Sequence, residues 1–148
     1  MKLSTRSQYA ITAVLELALK QHEKSVTLLE IAKMENISLS YLEQLFTQLR
    51  HHKLVKGRRG PGGGYTLARD ADKITIAEIV NAVDNKSQPA ITSQDNHDEV
   101  TSALLWQYLS NRIQTLLSEI TVADILAIAN PANSSSTVEV LETYKKLA

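Results

Sequence analysis

Arginine and glycine converge in one segment, Gly57-Arg58-Arg59-Gly60-Pro61-Gly62-Gly63-Gly64-Tyr65, which holds all five glycines of the chain. Glycine serves where the backbone needs positive φ or must come close to another group, and Pro61 fixes one φ inside the bend. Guanidinium groups beside such a bend suit phosphate. A Walker A cradle would need Gly, four residues and Gly-Lys-Ser/Thr between a strand and a helix. Here no Lys-Ser/Thr pair follows, and Tyr65-Thr66-Leu67 reads as a strand. A dinucleotide fingerprint fails for the same reason. With Leu54-Val55-Lys56 in front, the segment reads as a β-hairpin with a basic, glycine-rich tip. The competing reading is a structural turn with solvated arginines.

Other reactive side chains offer little catalysis. The histidines are His22, His51, His52 and His97. His51-His52 ends a helical pattern, where positive charge suits the helix dipole. His97 sits beside Asp95, Asp98 and Glu99, one imidazole among carboxylates and a weak metal donor set. No Ser/His/Asp or paired-carboxylate spacing stands out. With no cysteine at all, disulfides, thiolate zinc sites and cysteine-ligated iron–sulfur clusters are excluded. The expectation is no enzyme, no metal and no cofactor.

The elements that position the hairpin come before it. Ser4 caps a helix to about Lys20, with Tyr9, Ala10, Ala13, Val14, Leu17 and Ala18 forming one apolar stripe. Gln21 to Ser25 is a polar connection. Thr27 caps a short helix, Leu28 to Glu35, with Glu30 at the capping-box position. After the turn Asn36-Ile37-Ser38, Ser38 caps a helix from Leu39 to about His52. Its apolar face is Leu42, Leu45, Phe46 and Leu49; Ser40, Glu43, Gln44 and Thr47 point elsewhere. Two short helices across a tight turn, with small Ala32 at the crossing, form a helix-turn-helix signature. A basic hairpin following it gives the winged-helix order.

In that arrangement Ser38, Ser40, Tyr41, Glu43 and Gln44 face a major groove. Gln pairs with adenine and Glu accepts from cytosine N4. A carboxylate facing a polyanion is costly unless it meets a base donor, so Glu43 reads as a discriminator. The wing contributes Arg58, Arg59, Gly60, Pro61 and Gly62, with Arg59 the better candidate for groove entry. Arg6, Lys33, Arg50 and Lys53 are weaker phosphate candidates. Net charge is zero, yet residues 1–73 carry 12 Lys+Arg against 7 Asp+Glu, and residues 74–148 carry 4 against 9. A basic half beside an acidic half suits a polyanion partner for the first alone.

Beyond the wing, Ile74 to Val83 reads as a helix packed on the domain, and Asp84 to about Asn96 as a polar linker. A long helix begins at Asp98. Ser102, Trp106, Leu109, Ile113, Leu116 and Ile120 recur at spacings of four and three, an a/d seam. Following a compact domain, such a seam is expected to pair two subunits. Thr121 and Asp124 form another capping box for a helix to about Ala129, ended by Asn130-Pro131. Asn133 to Ser136 is a spacer before a last helix. The expected organisation is a DNA-binding domain at 1–84, a linker at 85–97, a dimerisation helix and short helix at 98–130, and a spacer and helix at 131–148. The fold class is mainly α with a small β-hairpin wing. No stretch approaches ~18 apolar residues, and the first residues lack a signal-peptide core. A cytoplasmic protein without membrane contact is expected.

Several motifs together carry a resemblance: Tyr9-Ala10; Ile37-Ser38-Leu39-Ser40-Tyr41-Leu42-Glu43-Gln44-Leu45-Phe46; Arg59-Gly60-Pro61-Gly62-Gly63-Gly64-Tyr65; Ile79-Val80-Asn81-Ala82-Val83-Asp84; and Leu109-Ser110-Asn111-Arg112 after Trp106. Over roughly residues 1–126 the chain resembles the IscR-type (Rrf-two family) winged-helix transcription regulators. The resemblance implies a homodimer on palindromic promoter DNA, with the long helix as interface and Ser38, Ser40, Tyr41, Glu43, Gln44 and Arg59 as DNA contacts. It points to genes of iron–sulfur biogenesis or related sulfur and stress responses. Its sensing members ligate a cluster through three cysteines and often a histidine, between the wing domain and the dimer helix. Counted back from Trp106, Val100 and Ala103 stand where the last cysteine and the histidine would be, and His97 and Gln8 supply no substitute set. The resemblance therefore carries over the DNA-binding half and not the cofactor. A protein-interaction module, docking a metabolic enzyme through the acidic carboxyl half and its last helix, is the alternative function.

Overall fold

The computed structural model describes residues 3–20, 25–84 and 97–129, with the side chains of 97–100 left aside. Six α-helices and one two-stranded antiparallel hairpin make up this part: α1 (Thr5–Lys20), α2 (Leu28–Glu35), α3 (Leu39–His51), β1 (Val55–Arg58), β2 (Gly64–Leu67), α4 (Ile76–Val83), α5 (His97–Glu119) and α6 (Val122–Ala129). The last helix expected after Ser136 lies outside the described residues, as does the linker.

Helices α2 and α3 start and stop on local chemistry. Thr27 and Glu30 form the expected capping box at α2, and the Ser38 hydroxyl accepts the Tyr41 amide at α3. Helix α2 closes on Asn36 in the left-handed region, with the Ile37 amide reaching back to the Ala32 carbonyl at 3.1 Å. The end of α3 does the same with a less suited residue. Lys53 takes φ 57° while the Leu54 and Lys53 amides bond the carbonyls of Leu49 and Arg50, a Schellman closure that favours glycine.

Leu42, Leu45, Phe46 and Leu49 of α3 are fully buried, as the apolar face anticipated. They meet the α1 stripe of Ala10, Ala13, Val14, Leu17 and Ala18, and Ile74, Ile76, Ile79, Ala82 and Val83 near or within α4. Here the expected helix is shorter. Thr75 caps α4 through a box with Glu78, and Ile74 is extended. The cause is tertiary: Thr75 bridges Thr121, with Ile76 N–H donating to the Ile120 carbonyl at 2.8 Å and Val122 N–H to that of Ile74 at 2.9 Å. Val122 is fully buried in the same core, and Ile120, Ile125 and Leu126 pack on it. The α5–α6 corner is thus stitched to the segment that follows the wing.

Candidate nucleic-acid interface

The wing is built by its glycines. Register pairs Val55 with Leu67, Lys56 with Thr66, Gly57 with Tyr65 and Arg58 with Gly64. Both strands run one or two residues closer to the bend than expected, because Arg58 and Gly64 still pair. The tip is a tight turn, Gly60-Pro61-Gly62-Gly63, closed by Gly63 N–H on the Gly60 carbonyl at 2.8 Å. With proline second and Gly62 third at φ +71°, it is a type II turn. Gly63 and Gly64 are needed for a different reason: an added Cβ would lie 2.7 Å from the Arg58 carbonyl oxygen and 2.5 Å from that of Val26, respectively.

Arg58, Arg59, Gly60, Pro61 and Gly62 are all exposed, and neither arginine has an ion pair among the described residues. Two contacts fix the wing to the helices. The ring of Phe46 in α3 meets that of Tyr65 edge-on at 4.8 Å. Beside α2, Val26 and Tyr65 exchange two backbone hydrogen bonds, 3.0 and 2.7 Å. Sequence reasoning placed Ser25 in a polar connection and missed this third, one-residue strand. A single valine between Lys24 and Thr27 was its faint signal.

On α3, Ser40, Glu43, Gln44 and Thr47 are exposed along the face opposite the buried leucines. Ser38 is exposed but its hydroxyl is engaged as the cap. Tyr41 is half-buried, its ring edge-on to that of Tyr9 at 6.0 Å. Lys33, Arg50 and Lys53 are exposed around the same helices. Arg6 is half-buried in the first turn of α1, its Nε without a partner among the described residues. That turn is held by a clasp: the Ser4 hydroxyl reaches both Asp84 carboxylate oxygens at 2.7 Å, and the Ser7 hydroxyl reaches Oδ2 at 2.6 Å.

The long-helix seam divides in two. Ile120 packs on the core of its own domain and Ile113 is half-buried, whereas Trp106, Leu109 and Leu116 are exposed. Leu104, Leu105 and Tyr108 extend the exposed apolar surface. Leu104 and Tyr108 do not fit the a/d period and were missed for that reason.

A short capped helix pair, an exposed polar helix face and a rigid basic wing form a winged helix-turn-helix. The family model for Rrf2, described as an iron-dependent transcriptional regulator, matches residues 3–128. The chain belongs to the Rrf2 family. This Rrf2 chain is similar to the HTH-type transcriptional regulator IscR of Sodalis glossinidius, 43% identical over 132 residues, covering 86% of this chain and 79% of that protein. The IscR of Erwinia tasmaniensis is 41% identical over 146 residues, covering 91% and 88%. Among solved structures, T. potens IscR matches with a TM-score of 0.74 at 32% identity, over 91% of this chain and 93% of that one. CymR, the global cysteine regulator of B. subtilis, matches at 0.70 and 34% identity, over 84% and 95%. This Rrf2 protein is a transcriptional regulator and not an enzyme. No helix among its described residues is long and apolar enough to cross a membrane.

An iron-dependent family raises the question of a cluster. The chain contributes no thiolate anywhere, and no three His, Asp or Glu side chains converge among the described residues. The residues present do not fit a cysteine-ligated cluster.

Proposed function

We propose that this regulator works in the cytoplasm as a homodimer, reading palindromic promoter sites without an iron–sulfur cluster. The observation that carries the reading is the exposed polar face of α3 beside a basic wing that is anchored through Tyr65 to Val26 and Phe46. In each half-site Ser40, Glu43 and Gln44 meet base edges, while Arg58, Arg59 and the lysines around α3 meet phosphates or the minor groove. The exposed apolar surface of α5 supports the pairing of two subunits, since large contiguous apolar patches mark interaction sites. The missing cysteines support the cluster-free state.

Purified, colourless protein is expected to select a two-fold-symmetric sequence from a pool of random 40-bp duplexes. Its affinity for that duplex should fall steeply with salt as phosphate counterions are released. Failure to enrich any sequence, or an affinity flat across a salt titration, would overturn the reading. A visible absorption band lost on chelation would overturn its cluster-free part.

A further inference from the structure

The tip of the wing is tied to the body of the protein by one side chain outside the hairpin. Ser25 is buried, and its hydroxyl donates to the carbonyl oxygen of Gly62, 37 residues away, at 2.5 Å. Gly62 is the residue of the type II turn that needs positive φ, and Arg58 and Arg59 lie just before that turn. The neighbouring residue Val26 holds the second strand of the wing at Tyr65, one residue from its last ladder pair. A Cβ on Gly64 would meet Val26 O at 2.5 Å, so the start of β2 and the tether lie against the same strip of backbone. That strip continues into Thr27, whose side chain caps α2.

A two-stranded hairpin alone is marginally stable and free to bend about its long axis. The Tyr65 bonds hold β2 next to the last ladder pair, Arg58–Gly64, and leave the turn beyond it. Within the turn, the Ser25–Gly62 bond restrains the backbone that follows Arg58 and Arg59, neither of which has an ion pair among the described residues. We propose that Ser25 is a positioning residue for DNA binding: it holds the wing tip at one height against α2 and so sets where Arg59 meets the duplex. The inference rests on the DNA-binding reading above and adds the residue that pre-organises the wing. Pre-organisation acts by removing an ordering cost at the moment of binding.

The test uses the full-length protein and the 40-bp duplex that wild-type protein selects from a random pool. Ser25→Ala is expected to weaken binding by about five- to tenfold, in line with the loss of one buried hydrogen bond per subunit. The log–log salt slope should shrink by about one to two, as one wing arginine per subunit leaves its phosphate. In an Arg59→Ala background the same substitution should change affinity by less than about twofold, because the two residues act on one contact. Ser25→Thr keeps the hydroxyl and should bind like wild type, whereas Ser25→Val, of the same shape, should bind like Ser25→Ala. The Thr/Val pair separates the hydrogen bond from packing even where Ser25→Ala lowers the melting temperature. Wild-type affinity for Ser25→Ala, full additivity with Arg59→Ala, or equal behaviour of Thr and Val would each overturn the proposal while leaving the DNA-binding reading intact. Failure of wild-type protein to select any duplex overturns the reading itself.

Discussion

The glycines of the wing's bend are held to glycine for different reasons, and the reasons differ in cost. At Gly60 nothing lies within 4 Å of an added Cβ, so only its φ of +91° resists substitution. At Gly64 a φ of +152° is joined by backbone 2.5 Å from the added carbon. Gly60→Ala should cost about 1 kcal/mol and Gly64→Ala about 2–4 kcal/mol in urea unfolding. A reversed order would mean the Val26 strip yields easily. Lys53 presents the converse case, a lysine where the backbone favours glycine. Lys53→Gly should raise stability by about 0.5–1 kcal/mol and weaken DNA binding, because a phosphate contact is lost. Stability and affinity moving together would remove Lys53 from the interface. Glu43→Ala should relax sequence choice more than it weakens binding; a uniform loss on all duplexes would make Glu43 structural.

Among the elements, α4 shows how local chemistry and tertiary context share control. Its amino end is held by the Thr75–Glu78 capping box, and Arg69 Nη2 donates to Glu78 Oε1 at 2.8 Å. Burial raises the Glu78 pKa, but hydrogen bonds from Thr75 and the Arg69 guanidinium outweigh it and hold the carboxyl below its ordinary value. A carboxylate with a depressed folded-state pKa contributes stability above the ordinary carboxylate range of about 4, and that contribution is lost as pH falls through the folded value. Glu78→Gln keeps a capping side chain and loses the charge. The stability gap between wild type and Glu78→Gln should therefore be present at neutral pH and close on acidification, as denaturant melts at several pH values would report. A gap constant with pH would assign the effect to packing. Thr75→Ala should cost about 1 kcal/mol at neutral pH. The box has a local signature, Thr-x-x-Glu before an apolar run, that the expected helix from Ile74 passed over. The shorter start of α4 follows also from the extended bridge between Thr75 and Thr121, a pairing distant in sequence.

For the molecule as a whole, α5 leaves large apolar side chains uncovered in the single subunit. Leu116 and Trp106 are each 59% exposed and Tyr108 is 62% exposed. Leu116→Glu should leave the subunit folded, since that side chain lies outside the core, and should shift sedimentation from dimer to monomer. Trp106 is the chain's single tryptophan, so its emission should move to longer wavelength on the same change. A monomeric wild-type protein, or a dimer indifferent to Leu116→Glu, would place the pairing elsewhere.

Helix-turn-helix and wing were legible in the residues, because each rests on interactions within a few positions: caps at three, apolar faces at three and four, glycine at a bend. Arg58 and Arg59 stood out for the same reason. Ser25 against Gly62, Asp84 against Ser4 and Ser7, and Thr121 against Thr75 join segments 37 to 80 positions apart. No local pattern encodes such pairs, since a serine or threonine has the same propensities whether it faces water or a distant carbonyl. The type of each element and the chemistry of its surface are local properties of the chain; the height of the wing and the division of α5 between core and open face exist only once the chain has folded on itself.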